Sequence, residues 1–249
     1  MVNYYLAERS TTGGSNMIYA AILAGGKGTR MGGDLPKQFL EINGVPVVVR
    51  TVRAFLKPGI VDSIVLCVPV EYIDYTRCVL GRYQDTADRI NIIEGGSDRT
   101  GSLENACRFF EANYKIAPDD ILITHDCVRP FITPEIIASS VENARKYGGS
   151  TAAVPSVDTI CFSADGKVIE SVPDRSKLYS VQTPQTFVMT DFTEILYSLS
   201  EEEKSRVTDA SAVFRMRGRT VVLSKGSPSN IKITHPSDLP LAEKLAEKL

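Results

Sequence analysis

The stretch IYAAILAGGKGTRMGGDLPKQF, residues 18–39, decides how the rest of the chain is read. Ile18 to Ala24 is apolar throughout, the pattern of a strand covered on both faces rather than the alternation of a half-exposed one. Five glycines follow at 25, 26, 28, 32 and 33, with Lys27, Arg30 and Lys37 among and just beyond them. A glycine loop leaving a buried strand offers backbone N–H groups to phosphate. The Walker A spacing is absent. The dinucleotide pattern G-x-G-x-x-G misses by one residue, its third glycine arriving at Gly32 after Gly26 and Gly28. The cations say more. One placed ~4 Å from a phosphate charge is worth about 4 kcal/mol at an effective dielectric of about 20. A dinucleotide's pyrophosphate is held largely by backbone groups and a helix dipole, whereas a nucleoside triphosphate brings more charge and develops more as pyrophosphate leaves. Three cations in one loop therefore suit triphosphate cleavage better than hydride transfer. An NAD-dependent oxidoreductase is the remote alternative, with Glu71 a poor candidate for holding the ribose hydroxyls.

Beyond this loop, short apolar runs alternate with helical ones. DSIVLCVPV (62–70), INIIEGG (90–96), DDILITHD (119–126) and STAAVPS (150–156) read as further buried strands, and 46–57, 72–83 and about 100–113 as helices. The best-marked helix follows Thr133, which can cap it, with Pro134 in its first turn and Gly148 to stop it. The rhythm predicts an α/β fold, three-layered and Rossmann-like, with a mainly parallel sheet. Between about 157 and 189 the rhythm changes. Two alternating runs flank Asp165-Gly166, a β-hairpin signal, and such an arm hung on a parallel body points to oligomerisation. Helices near 190–199 and 207–217 come next, then strands TVVLSKG (220–226) and NIKIT (230–234). A last helix begins near Ser237 with Leu241, Leu245 and Leu249 on one face.

Composition bounds the rest. The chain has 249 residues, 43% of them hydrophobic and 23% charged, with a net charge of −2. That describes a globular protein without the basic field that a nucleic-acid partner requires. Five scattered cysteines with no C-x-x-C pair suit reduced thiols and a cytoplasmic location, and no apolar run reaches the length of a membrane span. Residues 1–16 lack the apolar region of a secretory signal and read as a flexible leader or added residues, with Met17 a candidate start. Residues 17–249 then form one domain.

In an open parallel sheet a ligand sits outside the carboxyl ends of the strands. That rule gathers the glycine loop, EGGSDRTGS (94–102), THDCVRPF (124–131) and SKGSPSNIKIT (224–234) around one place. His125-Asp126 has no serine elbow to complete a hydrolytic triad, and the chain holds only two histidines. His125 reads as a structural residue. Asp126, at a strand end, reads as a ligand for Mg²⁺ between phosphates or as a turn cap. Asp209 reads equally as a second carboxylate at the metal or as a helix cap.

Six motifs in order, LAGGKGTRMG…PKQF, GGSDRTGS, HDCVRPF, QTPQTF, TDASAV and NIKIT.PSDL, resemble the cytidylyltransferases of sugar-alcohol phosphates. That family includes the methylerythritol-phosphate enzyme of isoprenoid synthesis and the ribitol-5-phosphate enzyme of wall-polymer synthesis. The likeness runs from about Tyr19 to the C-terminus. It implies that Leu23, Ala24, Gly25 and Gly26, with Gly96, Ser97, Arg99 and Ser102, hold CTP. It implies further that Arg30 and Lys37 clamp the triphosphate, that Lys232 stabilises the pentavalent α-phosphorus, and that Asp126 binds Mg²⁺. Arg175 and Thr183, on the arm, would reach the polyol phosphate of the opposite subunit in a homodimer. LAGG, Val128, Phe131, Tyr179 and LSEEEKSRVTDA resemble the ribitol-phosphate branch, so the acceptor is read as D-ribitol 5-phosphate with 2-C-methyl-D-erythritol 4-phosphate as the alternative. Cys127 departs mildly from both branches, and Lys27 has no assigned role.

The implied reaction converts CTP and an alditol phosphate to a CDP-alditol and pyrophosphate. It needs no general base. A phosphate monoester's second pKa is about 6, so the attacking oxygen is already mostly unprotonated near neutral pH. What is left for the protein is alignment and charge neutralisation.

Overall fold

The structure, a computed structural model, describes residues 16–26, 35–57, 59–86 and 89–248. Residues 1–15, and both Lys27 and Arg30, lie outside the described residues. In chain order the elements are β1 (Ile18–Leu23), β2 (Glu41–Ile42), β3 (Val45–Pro46), α1 (Val47–Leu56), β4 (Ser63–Val68) and α2 (Ile73–Gly81). There follow β5 (Asn91–Glu94), α3 (Arg99–Asn113), β6 (Ile121–Asp126), α4 (Pro134–Tyr147), β7 (Gly149–Pro155) and β8 (Tyr179–Val188). The chain ends with α5 (Met189–Tyr197), α6 (Glu201–Ser205), α7 (Ala210–Met216), β9 (Val222–Lys225) and α8 (Leu239–Ala246).

The main sheet has the order β5-β4-β1-β6-β8-β7-β9. Every pairing is parallel except those of β8, which runs against both β6 and β7. Helices cover both faces, so the fold is the three-layer, mostly parallel α/β arrangement that the alternating runs imply. Side-chain alternation along β1 serves the two layers separately. Ala20 and Ile22 pack with Val52 and Phe55 of α1 and Ile137 of α4, while Tyr19 and Ala21 pack with Leu103 and Phe110 of α3 and Phe192 of α5. That double coverage explains why the strand carries no polar positions. Helix α4 is bounded as its sequence predicts: the Thr133 hydroxyl accepts the Ile136 N–H, and Gly148 takes φ 88°.

Three expectations are corrected. The segment 157–189 is not all arm, because its second half is β8, inserted between β6 and β7 and buried from Gln182 onward. The remaining arm pairs through a single antiparallel bridge, Phe162 to Ser171, with Gly166 at φ 69° in its turn. NIKIT is not a strand; Ile233 N–H donates to the Val128 carbonyl at 2.9 Å, and no ladder develops. On α8 the face inward is Ala242 with Leu239 and Leu245, whereas Leu241 is exposed, and Leu249 lies outside the described residues. A tight hairpin that the sequence reading passed over joins β2 to β3. Its turn residues Asn43 and Gly44 both have positive φ, 48° and 71°, as a mirror-image turn requires. Among the described residues no helix is long and apolar enough to cross a membrane.

Candidate active site

The carboxyl ends of β1, β5 and β6 open on one cavity of ≈ 280 Å³. Leu23, Ala24, Gly25 and Gly26 form one wall, and Gly96, Ser97, Arg99 and Ser102 another. Lys37, Asp126 and Lys232 close it. The strand-end rule thus brings together all the residues read as CTP-binding and two of the three read as catalytic. Arg30 lies outside the described residues.

Local chemistry fixes each wall. Ala24 N–H donates to the Cys67 carbonyl at 2.8 Å, continuing the β1–β4 ladder, and the buried Gln38 amide donates to the Ala24 carbonyl at 2.8 Å. Across the cavity Asp98 caps α3, its carboxylate accepting the Gly101 N–H at 2.8 Å. Ser102 Oγ accepts the Gly96 N–H at 3.0 Å and donates to the Asp98 carbonyl at 2.8 Å. Gly96 has no room for a side chain, since a Cβ there would lie 2.3 Å from the Gly101 carbonyl carbon. The turn therefore folds flat on the start of α3 and leaves that helix N-terminus facing the cavity, where its dipole favours anions.

The charged centre is Asp126, at the end of β6. Its carboxylate meets Arg99 Nη1 at 2.5 Å, Lys232 Nζ at 2.9 Å and Arg129 Nε at 3.7 Å. Burial pushes its pKa up, but the Arg99 and Lys232 charges more than offset this and hold it well below the usual carboxylate range. One carboxylate facing three cations leaves the centre with net positive charge, which is what a polyphosphate requires. Lys37 adds to it from a neighbouring 3₁₀ turn, and its charge also reaches Asp238, which accepts the N–H groups of Thr234 and His235.

His125 is fully buried, and burial lowers its pKa to about 4. Its Nε2 lies 3.1 Å from the Arg129 carbonyl, which can only accept, so Nε2 carries the proton. Nδ1 then accepts from the Thr183 hydroxyl at 3.0 Å, and that oxygen in turn accepts the Asp126 N–H at 3.0 Å. The ring is a satisfied structural group with no face toward substrate.

This chain of bonds also corrects the placement of Thr183. It is buried in β8 beside Asp126, not carried on the arm, and its hydroxyl is already engaged within its own protomer. Arg175 does lie on the arm, in a 3₁₀ turn capped by Asp174, and donates to the Val157 carbonyl at 3.2 Å. Of the two readings of Asp209, the cap is the one seen: Oδ1 accepts the Ala212 N–H at 2.9 Å and Oδ2 accepts from Gln185 Nε2 at 3.0 Å. Among the described residues no three acidic, histidine or cysteine groups cluster as a metal cage. Asp126 alone still fits Mg²⁺, which is commonly held by one or two carboxylates together with substrate phosphates.

Sequence reasoning missed Gln38, Arg129 and Asn230. Each was quoted within a motif, but none stood out, because a polar residue in a loop reads as solvated until its burial is seen.

A mostly parallel sheet whose strand ends gather a glycine-rich turn, a helix N-terminus and an excess of cations around one carboxylate defines a nucleotidyltransferase. The chain belongs to the family described as IspD: 2-C-methyl-D-erythritol 4-phosphate cytidylyltransferase, which it matches over residues 18–248. Family membership sets aside the oxidoreductase reading, and Glu71 does not line the cavity. The chain is 42% identical over 234 residues to the ribitol-5-phosphate cytidylyltransferase of Streptococcus pneumoniae serotype 2, covering 93% of this chain and 100% of that protein. The ribitol-5-phosphate cytidylyltransferase of the Hungary19A-6 strain is 41% identical with the same coverage. Among solved structures, the 4-diphosphocytidyl-2C-methyl-D-erythritol synthase of Anaerococcus prevotii superposes with a TM-score of 0.77 at 26% identity, covering 93% of this chain and 96% of that one. The Thermus thermophilus 2-C-methyl-D-erythritol 4-phosphate cytidylyltransferase gives 0.72 at 26% identity, covering 93% and 99%.

Proposed function

We propose that the protein transfers the cytidylyl group of CTP to D-ribitol 5-phosphate, giving CDP-ribitol and pyrophosphate. The observation that carries the transfer is the Asp126 cluster, whose net positive charge lines the same cavity as the glycine-rich turns at 23–26 and 96–102. The choice of acceptor is supported by identity of 41–42% to ribitol-5-phosphate cytidylyltransferases along their full length. 2-C-methyl-D-erythritol 4-phosphate is the second reading, favoured by the family description.

In this reading the walls at 23–26 and 96–102 hold the cytidine. The already ionised acceptor phosphate attacks the α-phosphorus in line, and pyrophosphate leaves. Lys37 and Arg30 take up charge on the triphosphate, and Lys232 takes up charge on the pentavalent phosphorus. Asp126 would hold Mg²⁺, which supplies further neutralisation between phosphates when bound. Lys232 and Arg99, which pair with Asp126 here, would turn their charges toward the phosphates of bound substrate. Arg175 would clamp the acceptor phosphate of the opposite subunit, the arm's exposed Phe162, Val168, Ile169 and Val172 being covered in a homodimer. A cytoplasmic enzyme of wall-polymer synthesis is the matching setting.

Pyrophosphate release from CTP, measured with ribitol 5-phosphate and with methylerythritol 4-phosphate side by side, tests the proposal. A higher kcat/KM for ribitol 5-phosphate is expected, and preference for the methylerythritol compound would move the protein to the other branch. Arg175→Ala should raise KM for the alditol phosphate while leaving that for CTP near wild type; the reverse would remove the arm from acceptor binding.

A further inference from the structure

Lys232 sits on a segment, residues 226–234, that forms no helix or strand, yet the transfer reaction needs its ammonium at one place. What holds the segment is a knot of side-chain bonds centred on Asn230, which is fully buried and does not line the cavity. Asn230 Nδ2 donates to the Thr183 carbonyl at 2.8 Å and to Gln182 Oε1 at 3.3 Å. Both partners can only accept, so the amide's orientation is fixed. The Asn230 carbonyl accepts from Arg129 Nη1 at 2.8 Å. Arg129 is itself almost buried, and its Nε stands 3.7 Å from the Asp126 carboxylate that pairs with Lys232. Two residues beyond Asn230 comes Lys232, and the next residue, Ile233, donates its N–H to the Val128 carbonyl.

We propose that Asn230, working with Arg129, is a positioning residue that sets the Lys232 ammonium against the reacting phosphate. The proposal rests on Lys232 acting at the α-phosphorus and adds the device that places it. Arg129 ties the two carriers of charge together, reaching the β6 turn through Asp126 and the Lys232 segment through the Asn230 carbonyl. Asn230 then fastens that segment to β8. The Oδ1 atom of Asn230 has no hydrogen-bond partner among the described residues, so the side chain keeps an unmatched buried acceptor for the sake of its Nδ2 bonds.

The test is a double-mutant cycle read in kcat and KM. Asn230→Ala should lower kcat roughly 10- to 100-fold through displacement of a catalytic group, with KM for CTP near wild type. In a Lys232→Ala background the same substitution should lower kcat no further, because nothing is left to position. Additive losses in the two backgrounds, or an Asn230→Ala enzyme with wild-type kcat beside an impaired Lys232→Ala enzyme, would overturn the inference. Wild-type turnover in Lys232→Ala alone would instead overturn the functional reading beneath it. Arg129→Lys keeps a charge beside Asp126 but loses the fork that reaches Asn230, and it is held to the same cycle if Asn230→Ala does not fold.

Discussion

The two halves of the site hold their residues by different means. In the nucleotide half, residues 24–26, 95–99 and 126 are placed by regular structure. Ala24, Gly95 and Cys127 donate their N–H groups to Cys67, Val68 and Leu23, each bond prolonging a strand ladder, and α3 begins at once after the turn. In the half proposed to take the acceptor, Lys232 stands on an irregular segment and Arg175 on an arm paired through one bridge. There the backbone is tied by side chains, Gln182, Asn230 and Arg129 among them. A ladder shares load over many bonds, whereas a knot of single bonds loses its geometry when one is cut. Substitutions in the first half should therefore act locally on one substrate, and substitutions in the knot around Asn230 should spread into turnover.

The largest effect that could break this contrast is removal of a catalytic cation. Lys232→Ala and Lys37→Ala should each lower kcat by about 10²- to 10³-fold, the scale of losing one preorganised charge stabiliser, with CTP affinity much less changed. Steady-state kinetics beside a CTP binding isotherm reads the split. A parallel loss of CTP affinity with kcat intact would make the lysines simple nucleotide ligands and erase the division between halves.

His125 joins the halves, bonded to Thr183 on one side and to the Arg129 carbonyl on the other. Burial lowers its pKa to about 4, below the 6.5 of an ordinary histidine. As pH falls through about 6.5 the unfolded chain takes up a proton, while the folded chain does not until about 4. Stability is thus lost across that window, by about 3 kcal/mol from this group. Urea midpoints at pH 7.5 and 4.5, compared between wild type and His125→Gln, should show a smaller pH-dependent loss in the variant. Equal losses would mean that the ring is not held neutral. A smaller effect is expected within the nucleotide half: Gly96→Ala drives a methyl into the Gly101 backbone and should cost about 1–3 kcal/mol by overpacking. KM for CTP should rise with it while KM for the acceptor holds, and a rise in both would show that the halves are not separable.

The same contrast explains what could be read from sequence. Unbroken apolar runs such as Ile18–Ala24 encode doubly covered strands, and the strand-end rule then brings Gly96, Arg99, Asp126 and Lys37 to one cavity without any knowledge of side-chain packing. β8 defeats that logic, because its buried stretch Gln182–Thr186 is mostly polar and carries no apolar run to mark a strand, and its union with the arm hid where one ended. NIKIT alternates like a strand, and Ile233 is indeed fully buried, yet its backbone partner is a turn rather than an edge. Arg129 and Gln38 look solvated in a sequence. Their burial follows from segments more than ten residues away, which no local pattern carries.

Asp209 is the sharpest small test, because two chemistries predict opposite outcomes. Both of its oxygens are spent on structure, one on the Ala212 N–H at the start of α7 and one on the Gln185 amide, whose own carbonyl oxygen accepts the Ala210 N–H. Asp209→Ala should therefore cost about 1 kcal/mol of stability, the usual worth of a helix cap, and Asp209→Ser should recover most of it by capping with a hydroxyl. Turnover and its dependence on Mg²⁺ concentration should stay near wild type in the serine variant. Asp126→Asn should behave differently, losing turnover because the charge that faces Arg99 and Lys232 is gone. If instead Asp209→Ser raised the Mg²⁺ requirement, this carboxylate would share the metal with Asp126, and α7 would have to release it when CTP binds.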